Sequence, residues 1–374
     1  MNRDQLMQLI TRKVKLTGLH RMSLAVYAYC RYWLKDAWRK PSILKNTAPE
    51  SSKIAVFAIF QMRGLSEFCK RELLYLKKLG YDVVLSMPHG LPPKDLEFVL
   101  KECKAVVQRE NFGRDFGSYR DAILAVGFEE FSRYERVLLV NDSIYFPIGD
   151  TAQFESEFCG ATEDVVGLCE NIEFTAHIGS YFVEFSRQLF CCESMQKFWK
   201  TYKPLESRVH AIHAGEYGLS GVAYKGARDI RVLYSHERIV NDLMSRQDDF
   251  PGWPDFRKIL GFNFNPLKEQ LLSSTASRSA GIRKFLVVDA VRDVYAHGSP
   301  SHTFGLPLIK YFSAPFLKRD VYFRGAVDLP QVMMVLSDVE RAEIVDQIIF
   351  EMRKKGTRMN LPAWDMFLNY LDLA

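Results

Sequence analysis

The sequence has no apolar run long enough to cross a bilayer and no cysteine spacing typical of a metal finger. The uncharged segment Met22–Cys30 is nine residues long, whereas a membrane-spanning helix needs about 20. No small-residue cleavage site marks this segment as a secretory signal. The seven cysteines are odd in number and irregularly spaced, which favours neither disulfides nor structural zinc. We therefore expect a reduced, cytoplasmic protein, either free or lying on a membrane.

Internal repeats and low-complexity tracts are also absent. Hydrophobic residues make up 48% and charged residues 25% of the 374-residue chain, which are ordinary values for a globular protein and exclude general disorder. A chain of this length can bury a large core and divide into parts. We expect a basic N-terminal segment (1–50), a main domain (51–246) and a mostly helical C-terminal region (247–374) that packs on it.

The positive charge is concentrated at the N-terminus. Residues 1–40 contain nine Lys or Arg and two acidic residues, a local charge of +7, so the remainder carries −2 of the net +5. Aromatic residues such as Trp33 and Trp38 lie between these charges. A basic, aromatic helix suits an anionic membrane surface; a helix that packs on the body with solvated charges is an equal alternative. Nucleic acid is not expected as a partner, because no basic stripe continues past Lys40.

Strand and helix patterns alternate regularly from residue 54 onward. Apolar segments predict strands at Ile54–Phe60, Val83–Leu85, Ala105–Val107, Val137–Val140, Val165–Leu168 and Tyr181–Phe185, and amphipathic segments between them predict helices. This order predicts an α/β fold, a Rossmann-type, mostly parallel sheet with helices on both faces. In the C-terminal region, Ser337 and Glu340 predict a capping box that opens a helix.

Two predicted strands end in polar, glycine-containing or small residues. Val137–Val140 runs into Asn141-Asp142-Ser143, and Val106-Val107 runs into Asn111–Gly117. Open α/β sheets bind ligands at the carboxyl ends of their strands. We therefore expect both segments to line one nucleotide-sugar pocket. The alternative is that the acidic residues only cap turns or helices.

Several short segments, in the same order along residues 54–330, resemble the rhamnan-synthesis-F family of bacterial glycosyltransferases. The segments are Asn111–Tyr119, Asn141–Ser143, Ser180–Phe182, Glu216–Ser220, Pro300–His302 and Pro315–Asp320. The resemblance implies a GT-A-like fold and a nucleoside-diphosphate sugar donor, often deoxythymidine-diphosphate-rhamnose. It also implies a growing, lipid-linked surface polysaccharide as acceptor, at the inner face of the bacterial plasma membrane.

The chain departs from the family pattern at three points. Phe146 replaces a usual Gly and Gly179 replaces a usual Gln, and both positions are expected to face substrate. Many GT-A enzymes also carry two acids where this chain has only Asp142. The sugar and the linkage are therefore left open.

A diphosphate leaving group must have its charge neutralised. A Mg²⁺ or Mn²⁺ ion on one carboxylate can do this, because Mg²⁺ takes further ligands from phosphates and water. Asp142 is the predicted metal ligand, helped by Asn141 or Ser143, and His236 is a second candidate. A hydrogen-bonded loop histidine is the favoured alternative for His236. Without a metal, Arg109 or Arg114 would take over the charge.

The nucleotide side of the pocket is predicted to contain Asn111, Gly113, Arg114, Asp115 and Tyr119. An inverting transfer also needs a general base for the acceptor hydroxyl. Glu216 is the predicted base, because it lies about where related GT-A enzymes place one; a partner of the helix dipole is its alternative. Asp164 and Asp242 are the other candidates. On the acceptor side we expect His177, Ser180 and Tyr181, although Tyr181 could equally belong to the core.

Two other functions remain open at this stage. A nucleotidyltransferase would need a glycine-rich phosphate loop with a basic residue after the first strand, and Gln61–Gly64 offers only one Gly and one Arg. The second alternative is a non-catalytic subunit that binds glycan or scaffolds a synthesis complex. Neither needs Asp142 and Glu216 in the roles given above.

Overall fold

An eight-stranded mixed sheet forms the centre of the protein. The computed structural model describes residues 26–172, 175–246, 253–264, 266–274 and 279–357. The sheet has the order β1-β4-β3-β2-β5-β10-β7-β11. Its strands are β1 (Ser42–Asn46), β2 (Lys53–Ala58), β3 (Tyr81–Met87), β4 (Ala105–Gln108), β5 (Arg136–Asn141), β7 (Val165–Gly167), β10 (Phe182–Ser186) and β11 (Ile230–Val232). Two further pairs lie outside it, β6 (Ile144–Tyr145) with β12 (Leu317–Lys318) and β8 (Glu170–Asn171) with β9 (His177–Ile178).

The four central strands β4, β3, β2 and β5 are parallel. Strand β10 is antiparallel to both of its neighbours, β5 and β7, while β11 is parallel to β7. The edge strand β1 pairs antiparallel with β4; it lies in the polar stretch after Pro41, where the sequence predicts no strand. The α/β prediction is confirmed, with a more mixed sheet than the strand patterns indicate.

Helices cover both faces of the sheet. Successive side chains of a strand point to opposite faces, so each strand can pack apolar side chains against helices on both sides. Ala55 and Phe57 of β2 pack on one face, and Ile54 and Val56 on the other. The first face holds α1 (Glu67–Lys78), α2 (Pro93–Glu102), α5 (Ala152–Cys159), α10 (His236–Ser245) and α13 (Ala280–His297). The second face holds α3 (Arg114–Val126), α4 (Phe128–Phe131), α6 (Arg187–Phe190), α7 (Glu193–Thr201) and α9 (Tyr217–Gly226). The short helix α8 (Arg208–His210) leads into a π-helical segment, Ala211–Glu216.

The C-terminal region builds a third apolar core against α1 and β6. Phe68 and Tyr145 join this core together with Leu317 and Val321. The following helices form this region and its connection to the sheet: α11 (Trp253–Lys258), α12 (Pro266–Ser273), α14 (Pro300–Thr303), α15 (Gly305–Phe312), α16 (Leu329–Leu336) and α17 (Ala342–Lys355). The β6–β12 pairing fixes this region beside the carboxyl end of β5.

The capping box predicted at Ser337 is wrong. Ser337 ends α16, and the capping box stands at the start of that helix, between Asp328 and Gln331. The Glu340 carboxylate instead accepts hydrogen bonds from the backbone N–H of Gly149 and from the Arg71 guanidinium, both at 3.0 Å.

The N-terminal segment packs on the body of the protein from residue 26 onward. Ala28 and Tyr32 form a small apolar cluster with Leu205. The buried Asp36 carboxylate lies 3.5 Å from Arg31 and 3.9 Å from Arg39. Residues 1–25, which carry much of the predicted basic helix, lie outside the described residues. Within the part of the chain that the structure describes, every helix is too short or too polar to cross a membrane.

Candidate functional site

A cavity of about 850 Å³ opens at the carboxyl ends of the parallel strands. Its floor is formed by residues at or shortly after the carboxyl ends of β2, β3, β4 and β5: Phe60, Gln61, Pro88, Asn111, Asn141, Asp142 and Ser143. Segments from three other parts of the chain complete the wall, around His177–Tyr181, Glu206–Tyr217 and Ser299–Arg324. This is the edge at which open α/β sheets bind ligands.

Asp142 is tied to the loop that follows β2. Its Oδ2 atom accepts hydrogen bonds from the backbone N–H of Phe60 at 3.0 Å and from the side-chain amide of Gln61 at 2.5 Å. Its backbone N–H donates to the carbonyl of Ala58 at 3.1 Å. These contacts hold the half-buried carboxylate at the base of the cavity.

The segment Asn111–Gly117 is a tight turn followed by the start of α3. Gly113 has φ +72°, and a Cβ atom there would lie 2.4 Å from the Cβ of Pro204, so both backbone and space require glycine. Arg114 also has a positive φ, +55°, and lines the cavity. Such a conformation is costly for an L-residue and is concentrated at functional sites. The helix begins at Arg114.

The two polar strand ends meet in the cavity. Asn141 donates from Nδ2 to Oδ2 of Asp115 at 3.1 Å, and its Oδ1 accepts from the backbone N–H of Ser143 at 3.1 Å. Burial, and then the nearby Glu216 carboxylate, raise the pKa of Asp115. Tyr119 is fully buried behind this contact and donates to the carbonyl of Ser180 at 3.0 Å.

Glu216 lies at the end of the π-helical segment on the opposite wall. Its Oε1 accepts a hydrogen bond from the Ser180 hydroxyl at 2.7 Å. Its Oε2 lies 3.9 Å from Nε2 of His177, whose Nδ1 donates to the carbonyl of Thr175 at 2.7 Å. π-Helical turns occur often at functional sites. The carboxylate therefore faces the cavity with the His177 ring beside it.

The C-terminal region supplies cavity residues to which the sequence analysis gave no role. Lys318, at 9% exposure, donates to the Ser143 hydroxyl at 2.8 Å and lies 3.6 Å from the centre of the Tyr181 ring. Burial lowers the pKa of Lys318 to about 8, although Asp320 and Glu216 oppose the shift. Arg319, Arg324 and Lys355 line the same wall. The segment Pro315–Asp320 contains Lys318 and Arg319, but nothing in the sequence indicates that it lies beside Ser143.

A hydrogen-bonded chain also crosses this wall. The Ser299 hydroxyl donates to Nδ1 of His302 at 2.8 Å, and Nε2 of His302 donates to Oδ1 of Asp320 at 2.9 Å. Burial lowers the pKa of His302, which favours the neutral ring. Arg324 pairs with the other Asp320 oxygen. Asp320 thus fixes the orientation of two cavity residues.

The cavity does not offer the ligand set of a resident metal ion. Among the described residues, no group of three or more His, Cys, Asp or Glu side chains could hold a metal. Asp142 contributes one carboxylate, one of whose oxygens already accepts two hydrogen bonds. Arg319, another cavity residue, is among the charged groups that act on this region. A Mg²⁺ or Mn²⁺ ion that takes one carboxylate from Asp142 and its other ligands from phosphates and water stays a prediction.

The structure brings most of the predicted site residues into one cavity, and places the others elsewhere. Gly113 and Tyr119 support its wall from behind, and His236 does not line it. The backbone N–H of His236 donates to Glu170, and its ring packs against Tyr295, so it is not positioned with Asp142.

Three other candidates are engaged outside the cavity. Arg109 is buried and pairs with Asp121 at 2.7 Å, so it cannot take over charge in the pocket. Asp164 pairs with Arg228, and Asp242 with Arg246. Neither acid lines the cavity.

Two of the three departures from the family pattern, Phe146 and Gly179, have different surroundings. Gly179 lines the cavity. Phe146 is fully buried and packs edge-on against Tyr75, Phe154 and Phe182. The prediction that Phe146 faces substrate is therefore wrong.

Comparison with known proteins agrees with the motif resemblance. An uncharacterized protein, y4gN, of Sinorhizobium fredii is 25% identical over 235 residues, 59% of this chain and 61% of that protein. The chain thus spans less than two thirds of that relative's length. The virulence protein VirA of Vibrio anguillarum is 25% identical over 303 residues, 79% of this chain and 87% of that protein. The model of the family described as rhamnan synthesis protein F matches residues 90–221, which confirms that the chain resembles this family through the segment that contains Asp115, Asp142 and Glu216.

Proposed function

We propose that this protein is a glycosyltransferase that moves a sugar, rhamnose or a similar hexose, from a nucleoside diphosphate to a growing bacterial surface polysaccharide. The family match supports a role in polysaccharide synthesis. The proposed sugar transfer is based on one observation. Asp142, Asp115 and Glu216 line the same cavity at the strand ends, together with basic residues of the C-terminal region. The polar carboxyl ends of parallel strands support the GT-A-like arrangement that the resemblance implies.

In the proposed reaction, an oxygen of the acceptor hydroxyl attacks the anomeric carbon of the donor sugar. The bond between that carbon and the diphosphate oxygen breaks, and its electron pair leaves with the diphosphate. Glu216 takes the proton of the acceptor hydroxyl, since its carboxylate faces the cavity and is oriented by Ser180. General bases of this kind contribute about 10²- to 10⁴-fold to rate.

Two cavity regions have complementary chemistry for the two substrates. Asn111 and Asp115 offer amide and carboxylate groups for ribose or base, at the turn before α3. His177 and Ser180 lie beside Glu216 on the other wall, where an acceptor sugar needs to be. The nucleotide therefore occupies the sheet side and the acceptor the Glu216 side.

The N-terminal segment is the proposed contact with an anionic membrane surface. Tyr27, Leu34 and Trp38 are exposed by 62%, 83% and 77%, so this short segment presents several large apolar side chains to solvent. Lys203 lies over the Tyr29 ring at 4.8 Å. Aromatic rings flanked by basic groups suit the headgroup region of a bilayer, where a lipid-linked acceptor would be found.

Ligand-dependent thermal stability tests the proposed function. We expect deoxythymidine- or uridine-diphosphate sugars to raise the melting temperature increasingly with concentration, because a ligand of the native state stabilises it by mass action. Free sugars and nucleoside monophosphates are the controls and should give smaller shifts. Sugar release from the stabilising donor is then followed by chromatography. A flat response to all nucleoside-diphosphate compounds would contradict the proposal and favour a non-catalytic role.

A further inference from the structure

The wall from the C-terminal region is the most cationic part of the cavity. Its lining residues include four basic side chains, Lys318, Arg319, Arg324 and Lys355, and one acidic side chain, Asp320. The local balance is therefore +3 with His302 neutral. The charged residues that line the cavity from residues 58–217 are, in contrast, acids such as Asp142, Asp115, Glu206 and Glu216, with only Arg114 and Arg208 as bases.

Two of these basic groups retain capacity for an anion. The contacts of Lys318 with the Ser143 hydroxyl and the Tyr181 ring leave further ammonium hydrogens to donate, since the group has three. Arg319 donates to the carbonyl of Ile144 and to Glu351, both at 3.0 Å. Its Nη2 atom is buried and has no hydrogen-bond partner among the described residues. An unpaired buried donor is costly, and an anionic ligand would satisfy it.

Lys318 is placed where a leaving group must be stabilised. The β6–β12 pairing sets Lys318 opposite Ile144, and the hydrogen bond to Ser143 directs its ammonium group to the end of β5. Asp142 lies next along the chain, at the base of the cavity. A donor diphosphate carries negative charge on each phosphate, and fixed cations can stabilise that charge as the sugar departs.

We propose that Lys318, with Arg319 and Arg324, binds the diphosphate of the sugar donor and replaces a divalent metal ion in neutralising the leaving group. This inference rests on the proposed function and specifies how the donor is held. It is an alternative to the predicted Mg²⁺ or Mn²⁺ site at Asp142, since the described residues contain no group of three or more His, Cys, Asp or Glu side chains that could hold an ion by themselves. Asp142 then serves to position the loop after β2 through Phe60 and Gln61.

Calorimetric titration with uridine diphosphate and deoxythymidine diphosphate tests this assignment on the full chain. We expect the wild-type protein to bind one of them with the same affinity in EDTA and in Mn²⁺. The Lys318→Met variant keeps the apolar stem and removes the charge, and its affinity should fall by about 10- to 100-fold, as for one charge-assisted hydrogen bond. Lys318→Arg should restore most of the binding. The control is Lys310→Met, at an exposed lysine outside the cavity that pairs with Asp338.

The outcomes separate this inference from the proposed function. Binding that requires Mn²⁺, or that Lys318→Met leaves unchanged, overturns the cationic site while the glycosyltransferase proposal stands. Failure of the wild type to bind any nucleoside diphosphate, with or without metal, overturns both. If Lys318→Met does not fold, as circular dichroism would show, the comparison of EDTA with Mn²⁺ on the wild type decides alone.

Discussion

Asn141, the last residue of β5, donates a hydrogen bond to Asp115 in the first turn of α3 over 3.1 Å. This contact joins two residues that are 26 positions apart along the chain, one at the end of β5 and one in the helix that follows β4. It also orients Asp115, whose half-buried carboxylate faces the cavity. The polar edge of the sheet is therefore held together by side chains as well as by backbone.

Asn141→Ala should destabilise the fold by about 1 to 3 kcal/mol, because it leaves the Ser143 N–H and the Asp115 carboxylate without their partner. Urea unfolding at pH 7 measures the change. Asp115→Asn is the matched comparison. The Asn side chain retains an oxygen that can accept a hydrogen bond from Asn141. It removes a carboxyl group whose pKa is raised by burial, so the stability of Asp115→Asn should equal or exceed that of the wild type. An unchanged midpoint for Asn141→Ala would show that the contact carries no net stability.

Glu216→Gln should lower kcat by about 10²- to 10⁴-fold while leaving donor binding intact, because the amide cannot take a proton from the acceptor. Ser180 can still donate to the amide oxygen, which preserves the local geometry. Transfer rates and donor affinity are measured on the same preparation. Glu193→Gln, at an exposed position on α7, is the control. Full activity in Glu216→Gln would exclude this residue as the base.

Donor binding should weaken as the pH rises through about 8. Burial lowers the pKa of Lys318 from its ordinary value of 10.5 to about 8, so the cation is fully present at pH 7 and is lost above that pKa. The groups that act on it are Asp320, Glu216, Arg324 and Asp115. Diphosphate affinity measured between pH 6.5 and 9.5 should show the fall. In Lys318→Arg, whose guanidinium stays charged, the fall should disappear; persistence of the same profile would assign it to another group.

Gly179→Ala should impair donor binding and destabilise the protein by about 1 to 3 kcal/mol through overpacking. A Cβ atom at this position would lie 2.4 Å from Cε1 of Tyr181, and this buried ring cannot move without disturbing Lys318 above it. Gly221→Ala is the control, since nothing lies within 4 Å of its added Cβ atom. Thermal unfolding and diphosphate titration measure both variants. Equal behaviour of the two variants would contradict the packing argument.

Replacing Trp33 and Trp38 by Ser should weaken binding to vesicles that contain anionic lipid, because Trp38 is largely exposed and Trp33 about half exposed on the basic N-terminal segment. Sedimentation with phosphatidylglycerol vesicles measures the change, and neutral vesicles test the contribution of charge. Phe350→Ser removes an equally exposed ring from α17 and should have no effect. These substitutions test membrane binding more specifically than deletion of residues 1–40 would. The deletion would also remove Tyr32 and Asp36, which pack on the body of the protein.

The parallel strands could be predicted because their apolar runs are continuous and end abruptly at polar residues. Val137–Val140 before Asn141 is the clearest case, and the structure places β5 there. The reversal of β10 could not be predicted from such a run, since an apolar strand reads the same in either direction. Its neighbours and connections decide its orientation.

The floor of the cavity could likewise be inferred, because each strand end delivers its own residues to the same edge. The cationic wall could not be inferred from the sequence. Lys318 is 175 residues from Ser143 along the chain, and the short pairing of β6 with β12 brings them together. Sequence patterns of 3.6 or 2 residues carry no information about such a contact.

The same pairing has a consequence for biosynthesis. During translation, every strand of the large sheet leaves the ribosome before residue 317 does. A nascent chain can thus assemble the floor of its cavity while the opposite wall is still unsynthesised. The basic residues of the proposed diphosphate site are therefore made late, and a message truncated before codon 318 would yield a protein without them.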